Sequence, residues 1–257
     1  MGVVEAIKKG FGAAAKNVGL IGVLFVFNVV MNLVSLPFAQ TAASPNPQFT
    51  ATTLLISLVF ILISIFLQGG SLGIVRDYLK QGKSELSKLV SYGSKYYLRL
   101  FLLGALIVAV IFVAGIIAAL IIAATAPLNN AAVTIIAAII AIIIGVIALF
   151  YIFLLIFSPY VLVCEDKGVI DALKASIKIV RGAILKTLLL LVMIILIAFG
   201  IGFLVGFLTG LITVMMPVSV GQVVIAVISS LFNAYLGLVM MATFMIFYFA
   251  QKEKSVA

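Results

Sequence analysis

Charge is confined to four short stretches of this chain. All 16 Lys and Arg residues and all seven Asp and Glu residues lie in 5–16, 76–99, 165–186 and 252–254. Between these stretches are three uncharged runs of 59, 65 and 65 residues, at 17–75, 100–164 and 187–251. A membrane helix needs about 20 apolar residues, so each run has room for two helices joined by a turn. Both ends of each run then lie on the same side, which places every charge on one side of the membrane.

The composition favours a membrane protein over a soluble one. Only 9% of the residues are charged and 66% are hydrophobic, whereas a soluble domain carries about 25% charged residues. The net charge of +9 is an excess of Lys and Arg beside apolar runs, which is typical of cytoplasmic loops. We therefore expect both termini in the cytoplasm. The same placement argues against a nucleic-acid partner, because the basic residues flank membrane spans.

The predicted fold is an all-α integral membrane protein that forms a single membrane domain over 1–257. Six transmembrane helices form three hairpins, each preceded by an amphipathic helix at the cytoplasmic face. We expect the spans at about 18–38, 52–75, 100–125, 132–158, 187–213 and 222–248. The Ser158-Pro159-Tyr160 segment predicts a break in the fourth helix, and the glycines at 69, 70 and 73 predict a looser second helix.

The stretches that precede the three uncharged runs resemble one another, which predicts an internal repeat. The first reads Gly-Val-Val-Glu-Ala-Ile-Lys at 2–8 and the third reads Gly-Val-Ile-Asp-Ala-Leu-Lys at 168–174. The second, at 82–88, keeps the glycine, the acid and the lysine. In every copy the lysine follows the acid by three residues, about one helical turn. The predicted repeats are 1–78, 79–165 and 166–257.

Basic residues on the three amphipathic helices are the candidate binding residues. Lys174, Lys178 and Arg181 share one helical face, and apolar residues occupy the opposite face. Such a helix can lie in the membrane interface with its basic side toward lipid phosphates. We call the full set the basic collar and expect it to contact anionic lipid headgroups or a protein partner: Lys8, Lys9, Lys16, Lys88, Lys95, Arg99, Lys174, Lys178 and Arg181.

Glycine and amide residues inside the spans have two interpretations. Gly202, Gly206 and Gly210 recur every four residues, which favours close helix packing within the chain or between copies of a homo-oligomer. Polar residues in hydrocarbon are costly unless they face the bundle and find partners. For the four amides we favour hydrogen bonds between helices, and the alternative is a solute site at the membrane midplane: Asn28, Asn32, Gln68 and Asn233.

The residues for common catalytic and cofactor sites are missing from the sequence. The chain has no His and one Cys, so a standard zinc or haem site or a Ser-His triad cannot form. It contains no phosphate-binding glycine motif. The one pair of adjacent acidic residues that could serve in acid–base catalysis is Glu165-Asp166. It begins a charged stretch outside the predicted spans, and we interpret it as the start of the helix at 168, where negative charge favours the N-terminal dipole. We expect neither an enzyme nor a bound metal or cofactor, and an ion-driven pump is disfavoured because the spans lack a carboxylate.

The segment Phe157-Ser158-Pro159-Tyr160-Val161-Leu162-Val163-Cys164-Glu165-Asp166, together with 168–176, carries a family resemblance. It resembles a group of prokaryotic six-span proteins that includes the membrane domain attached to some glycerophosphodiester phosphodiesterases and several domains of unknown function. The resemblance implies a prokaryotic cell membrane, either inner or plasma. In that group the catalytic residues lie in a separate soluble domain, so none is expected in this chain.

Together these features predict a non-enzymatic protein that organises the membrane or serves as an accessory to a partner. The hypothesis rests on the basic collar and on the lack of charge within the spans. The alternative is a transporter or channel for a small or lipidic solute. It predicts a cavity lined by the four intramembrane amides.

Overall fold

The protein is all-helical throughout the residues that the structure describes. The structure is a computed structural model, and it describes residues 1–40, 47–125, 127 and 130–256. This part of the chain contains no strand. In addition to a 3₁₀ turn at Leu86–Lys88, it contains nine α-helices: α1 (Val3–Lys16), α2 (Val18–Gln40), α3 (Pro47–Gln81), α4 (Leu89–Thr125), α5 (Ala131–Leu154), α6 (Ser158–Glu165), α7 (Val169–Gly182), α8 (Ile184–Thr213) and α9 (Val218–Val256).

Six helical segments are long and apolar enough to cross a membrane, which indicates a multi-pass membrane protein. They are Val18–Leu36, Ala51–Gln81, Leu86–Thr125, Ala131–Glu165, Ile184–Thr213 and Val218–Glu253. The six predicted spans are confirmed in number and approximate position. With 39 residues, α9 is about 58 Å long, so it extends well beyond a hydrocarbon core of about 30 Å.

The predicted break in the fourth span is confirmed. α5 ends at Leu154 and α6 begins at Ser158, with a proline in its first turn. Proline has no backbone N–H, so it cannot donate the hydrogen bond that would continue α5 through this position. The Ser176 hydroxyl donates to the Leu154 carbonyl at 2.8 Å and accepts from the Phe157 N–H at 3.1 Å. A side chain of α7 therefore satisfies two of the backbone groups that the break leaves unpaired.

The predicted loosening of the second span is wrong, because α3 is continuous from Pro47 to Gln81. Its glycines make room for a neighbouring helix. A Cβ at Gly70 would lie 2.6 Å from the Leu89 carbonyl, and one at Gly73 would overlap the Tyr92 ring. On the α4 side, a Cβ at Gly93 would lie 2.8 Å from the ring of Phe66, which belongs to α3. The glycines thus allow the start of α4 to pack closely against α3.

The predicted amphipathic helix at 85–99 is not a separate element. After the 3₁₀ turn, α4 continues without interruption from Leu89 into the third span. No proline lies between Leu89 and Thr125 to end it. By contrast, Asn17 separates α1 from α2, and its side-chain amide donates to the Ala13 carbonyl at 2.7 Å.

The chain divides into two compact units. One unit contains Met1–Tyr97 and Ala183–Ala257, and the other contains Leu98–Gly182. Neither boundary coincides with the predicted repeat boundaries, because the start of α4 packs on α3 within the first unit. In that unit α9 packs against α1, α2 and α8. In the second unit α7 packs against α5 and α6.

Helices α1 and α7 share the same length and register. Each has 14 residues, and the helices that follow them begin at equivalent positions. The offset is 166 residues from Val3 to Val169, from Lys16 to Gly182 and from Val18 to Ile184. Both helices bury the same three positions, which are Ala6, Gly10 and Ala14 in α1 and Ala172, Ser176 and Val180 in α7.

Candidate functional site

The basic residues of α1 lie on its exposed side. Lys8, Lys9 and Lys16 are exposed, whereas Gly10 is buried so closely against Thr243 of α9 that a Cβ would clash. Lys9 Nζ lies 2.9 Å from Glu5 Oε1. The hydrogen bond and positive charge of Lys9 lower the pKa of Glu5. Packing on α9 therefore determines which face of α1 presents its lysines.

The basic residues of α7 have the same arrangement in the second unit. Lys174, Lys178 and Arg181 are exposed, and Ala172, Ser176 and Val180 are buried on the other side. Within the described residues, five cations of the basic collar form no ion pair: Lys8, Lys16, Lys174, Lys178 and Arg181. These cations keep their charge available for an external anion.

The other collar cations already have partners. Lys88 Nζ lies 3.0 Å from Glu85, and Arg99 Nη1 lies 2.7 Å from Asp166 Oδ1. Lys95 Nζ lies 5.1 Å from the Tyr96 ring centroid, which is a cation–π distance. The predicted collar therefore combines cations that have partners within the fold, of which Arg99 joins two distant segments, with cations that form no ion pair.

Sequence reasoning missed a cluster centred on Arg76 and Asp77 at the charged end of α3. Arg76 donates through Nε and Nη2 to Asp77 Oδ1 at 2.9 and 2.8 Å. Its Nη1 donates to the Tyr96 hydroxyl at 2.8 Å, and its guanidinium lies 5.0 Å from the Tyr92 ring centroid. The Tyr92 hydroxyl donates to the second Asp77 oxygen. The adjacent Arg-Asp pair and two tyrosines four residues apart were the available signal.

An open groove lies beside α1 in the first unit. It has a volume of about 840 Å³, and its walls are α1 and the charged ends of α3 and α9. The charged and aromatic side chains that line it are Glu5, Lys9, Lys16, Tyr78, Phe249 and Glu253. Two residues of the predicted collar, Lys9 and Lys16, are thus part of a concave surface.

Two of the predicted intramembrane amides meet a common partner. Asn32 Nδ2 donates to Ser230 Oγ at 2.8 Å, and Asn28 Nδ2 makes a longer 3.5 Å contact with the Ser230 carbonyl. Ser230 Oγ in turn donates to the Ala226 carbonyl at 2.6 Å. These bonds join α2 to α9. A small crevice of about 320 Å³ opens beside Asn32.

The other two amides do not share the Ser230 contact within the described residues, and a cavity lined by all four stays a prediction. Gln68 and Asn233 are exposed. The buried positions of α9 include Ser230, Ala234 and Leu238, which recur every four residues. Asn233 lies about 60° around the helix from Ser230, at the edge of this face, and it is exposed. Two of the four amides therefore have a described hydrogen-bond partner on α9, and the other two are exposed.

The glycines of α8 do not pack within the part of the chain that the structure describes, which corrects the intramolecular part of that prediction. Gly202, Gly206 and Gly210 are exposed, and a Cβ at any of them would have no neighbour within 4 Å. The buried face of α8 begins instead at Thr187, Leu190 and Ile194. Packing of the glycines between copies of the chain stays a prediction.

The charged segments that flank the apolar helices are suited to ionic contacts. Among the described residues, no group of three or more His, Cys, Asp or Glu side chains could hold a metal ion. These segments contain the five unpaired cations, the groove and the Arg76–Asp77 cluster. Lysines at an interface attract lipid phosphates, with about 1 kcal/mol for each basic residue near an anionic surface.

The chain belongs to the family described as Domain of unknown function (DUF7847), whose model matches residues 1–251. This match and the six apolar helices identify a membrane domain of unknown function. No curated protein and no solved structure matches the chain. The resemblance to the glycerophosphodiester phosphodiesterase group stays a prediction.

Proposed function

We propose that this member of the DUF7847 family is a non-enzymatic protein that organises the membrane or serves as an accessory to a partner. Its unpaired basic residues bind anionic lipid headgroups or a protein partner. The observation that carries the proposal is the exposure of five cations with no ion pair within the described residues. Since an unpaired ammonium or guanidinium retains its full charge, these residues attract an anionic surface.

The proposed topology is three hairpins with both termini in the cytoplasm of a prokaryotic cell. The location of all charges in four stretches supports one charged side. The matched length and register of α1 and α7, each with three buried positions at four-residue spacing, support a repeated amphipathic helix. The second repeat departs from this design because its basic segment is continuous with α4.

A transporter or channel for a small or lipidic solute is the weaker alternative. It needs polar side chains that converge on one cavity within the spans. The Asn32 amide already bonds Ser230, and the Gln68 and Asn233 side chains are exposed. The arrangement of the amides therefore favours an accessory role.

The test is headgroup selection by the full-length protein. From micelles with equimolar phosphatidylglycerol and phosphatidylcholine, native mass spectrometry measures the ratio of the two bound lipids. We expect the wild type to prefer phosphatidylglycerol. The four-residue collar variant, with Lys8, Lys174, Lys178 and Arg181 each replaced by Gln, should reduce this preference about five-fold or more, since each cation contributes about 1 kcal/mol.

The matched control replaces the paired cations Lys88 and Arg99 by Gln. It removes charges that already have carboxylate partners, so its lipid preference should stay close to that of the wild type. A wild type that does not discriminate between the two lipids would contradict the proposal. So would an equal loss in the control and the four-residue collar variant.

A further inference from the structure

We propose that the groove beside α1 is a binding site for the headgroup of one anionic phospholipid. This inference rests on the proposed function and makes it specific. It distinguishes one shaped site from the general attraction between exposed lysines and a charged surface. Four features support it: the wall that α1 contributes, the charges at the rim, the apolar lining and the volume.

The first wall of the groove is one face of α1. Glu5, Lys9, Gly12 and Lys16 line it, at a spacing of three or four residues that keeps them on the same side of a helix. The opposite side of α1 is fixed, because Gly10 packs against Thr243. The lysines that point into the groove are therefore held by the packing of α1 on α9.

The charges of the groove suit a phosphate that carries hydroxyl groups. Lys9 is partly neutralised by Glu5 at 2.9 Å, whereas Lys16 has no ion pair within the described ranges. Lys80 lies near the same rim, with its Nζ 5.7 Å from the ring centroid of Phe249. A phosphate would thus meet cations on the α1 side. Glu253 can accept hydrogen bonds from hydroxyl groups of the headgroup.

The remaining lining is apolar, which suits the glycerol and the first acyl carbons of a lipid. Leu79 contributes from α3, and Ile246 and Phe249 contribute from α9. The volume of about 840 Å³ falls within the range of about 300–1,000 Å³ that is usual for small-molecule sites. A free phosphate would leave most of this surface without contact, so the lining favours a lipid as the source of the phosphate.

Two substitutions test the site without disturbing the core. Gly12 lines the groove, and a Cβ there would have no neighbour within 4 Å, so the side chain of Gly12→Phe can extend into the groove from an unobstructed Cβ. Lys16→Gln removes the unpaired charge. The matched controls lie outside the groove. They are Gly182→Phe on α7, where a Cβ also points into open space, and Lys88→Gln, which removes a cation already paired with Glu85.

The measurement is again the ratio of bound phosphatidylglycerol to bound phosphatidylcholine in the full-length protein. We expect Gly12→Phe and Lys16→Gln each to lower it about five-fold, and each control to lower it by less than about two-fold. Excess glycerol 1-phosphate, a soluble ester without acyl chains, should not displace the lipid. Displacement by this ester would overturn the assignment to a lipid.

The outcomes separate this inference from the proposed function. If the two groove variants bind like the wild type while the four-residue collar variant loses its preference, the groove site is overturned and the proposed function stands. If the groove variants lose binding and the four-residue collar variant does not, the groove is supported and the wider collar is wrong. If every variant retains the wild-type ratio, both proposals fail.

Discussion

At the scale of single residues, burial separates the structural ion pairs from the peripheral ones. The Arg76 and Asp77 side chains are each 15% exposed, whereas those of Lys88 and Glu85 are 43% and 50% exposed. Water screens the exposed pair, so it contributes little to stability. The Arg76–Asp77 pair also has two tyrosine hydroxyls as partners. Removal of the Asp77 carboxylate takes a charged partner away from a shielded guanidinium.

Asp77→Asn should therefore destabilise the protein much more than Glu85→Gln. We expect the first to lower the free energy of unfolding by about 1–3 kcal/mol, since the shielded Arg76 loses a charged partner and Tyr92 loses a charged acceptor. The second should change it by about 0.5 kcal/mol or less. Thermal unfolding in detergent, followed by far-ultraviolet circular dichroism, measures both. Equal shifts in midpoint would show that the Arg76 cluster is not a stabilising element.

At the scale of secondary-structure elements, each of the two 14-residue helices is fixed through its central buried position. In α1 this position is Gly10, which allows close approach to Thr243. In α7 it is Ser176, whose hydroxyl bonds the backbone at the α5–α6 break. The two helices have equivalent register but use different chemistry, close contact in one and hydrogen bonding in the other. In both, the buried face leaves the basic residues exposed.

A pair of glycine substitutions in α1 tests this account. Gly10→Ala places a methyl group against the Thr243 side chain, so we expect the free energy of unfolding to fall by about 1–3 kcal/mol. Gly12→Ala points into open space and should be neutral or stabilising by up to about 1 kcal/mol, because alanine favours a helix over glycine. Chemical unfolding of both variants in mixed micelles gives the comparison. A Gly10→Ala protein as stable as Gly12→Ala would refute the close packing of α1 on α9.

At the scale of the whole molecule, the cost of placing charge in hydrocarbon controls the arrangement of the chain. Each uncharged run has charged residues at both ends and enough length for two spans. Charged side chains at a helix centre are strongly disfavoured in a membrane. Hairpins that return to the same side avoid this cost. In the proposed topology, the turns near residues 130 and 217 lie on the side of the membrane opposite to the charged stretches.

Cysteine labelling of intact cells tests this topology. In a Cys164→Ala background, which removes the one native cysteine, single cysteines replace exposed residues at Val90, Lys178, Asn130 and Val218. A membrane-impermeant maleimide should label positions 130 and 218 in intact cells, and positions 90 and 178 only after permeabilisation. Labelling of position 90 or 178 from outside would contradict the predicted orientation and the hairpins with it.

Several features follow from the sequence because they depend on local, additive properties. The number of spans follows from the lengths of the uncharged runs, since each residue contributes separately to the cost of insertion. The break before Ser158 follows from Pro159, which cannot continue the backbone pattern. The exposed basic face of α7 follows from helical periodicity. None of these features requires knowledge of a distant part of the chain.

The tertiary structure alone decided which of the predicted residues have partners. Asn32 bonds Ser230, which lies 198 positions away, while Asn233, only three residues further on, remains exposed. Gly10 meets Thr243, whereas Gly202 meets no described residue. The physical reason is that packing and hydrogen bonding depend on the distance between atoms of separate helices. The hydrophobic pattern of a helix indicates which of its faces is buried. It does not specify which residues of other helices pack against that face.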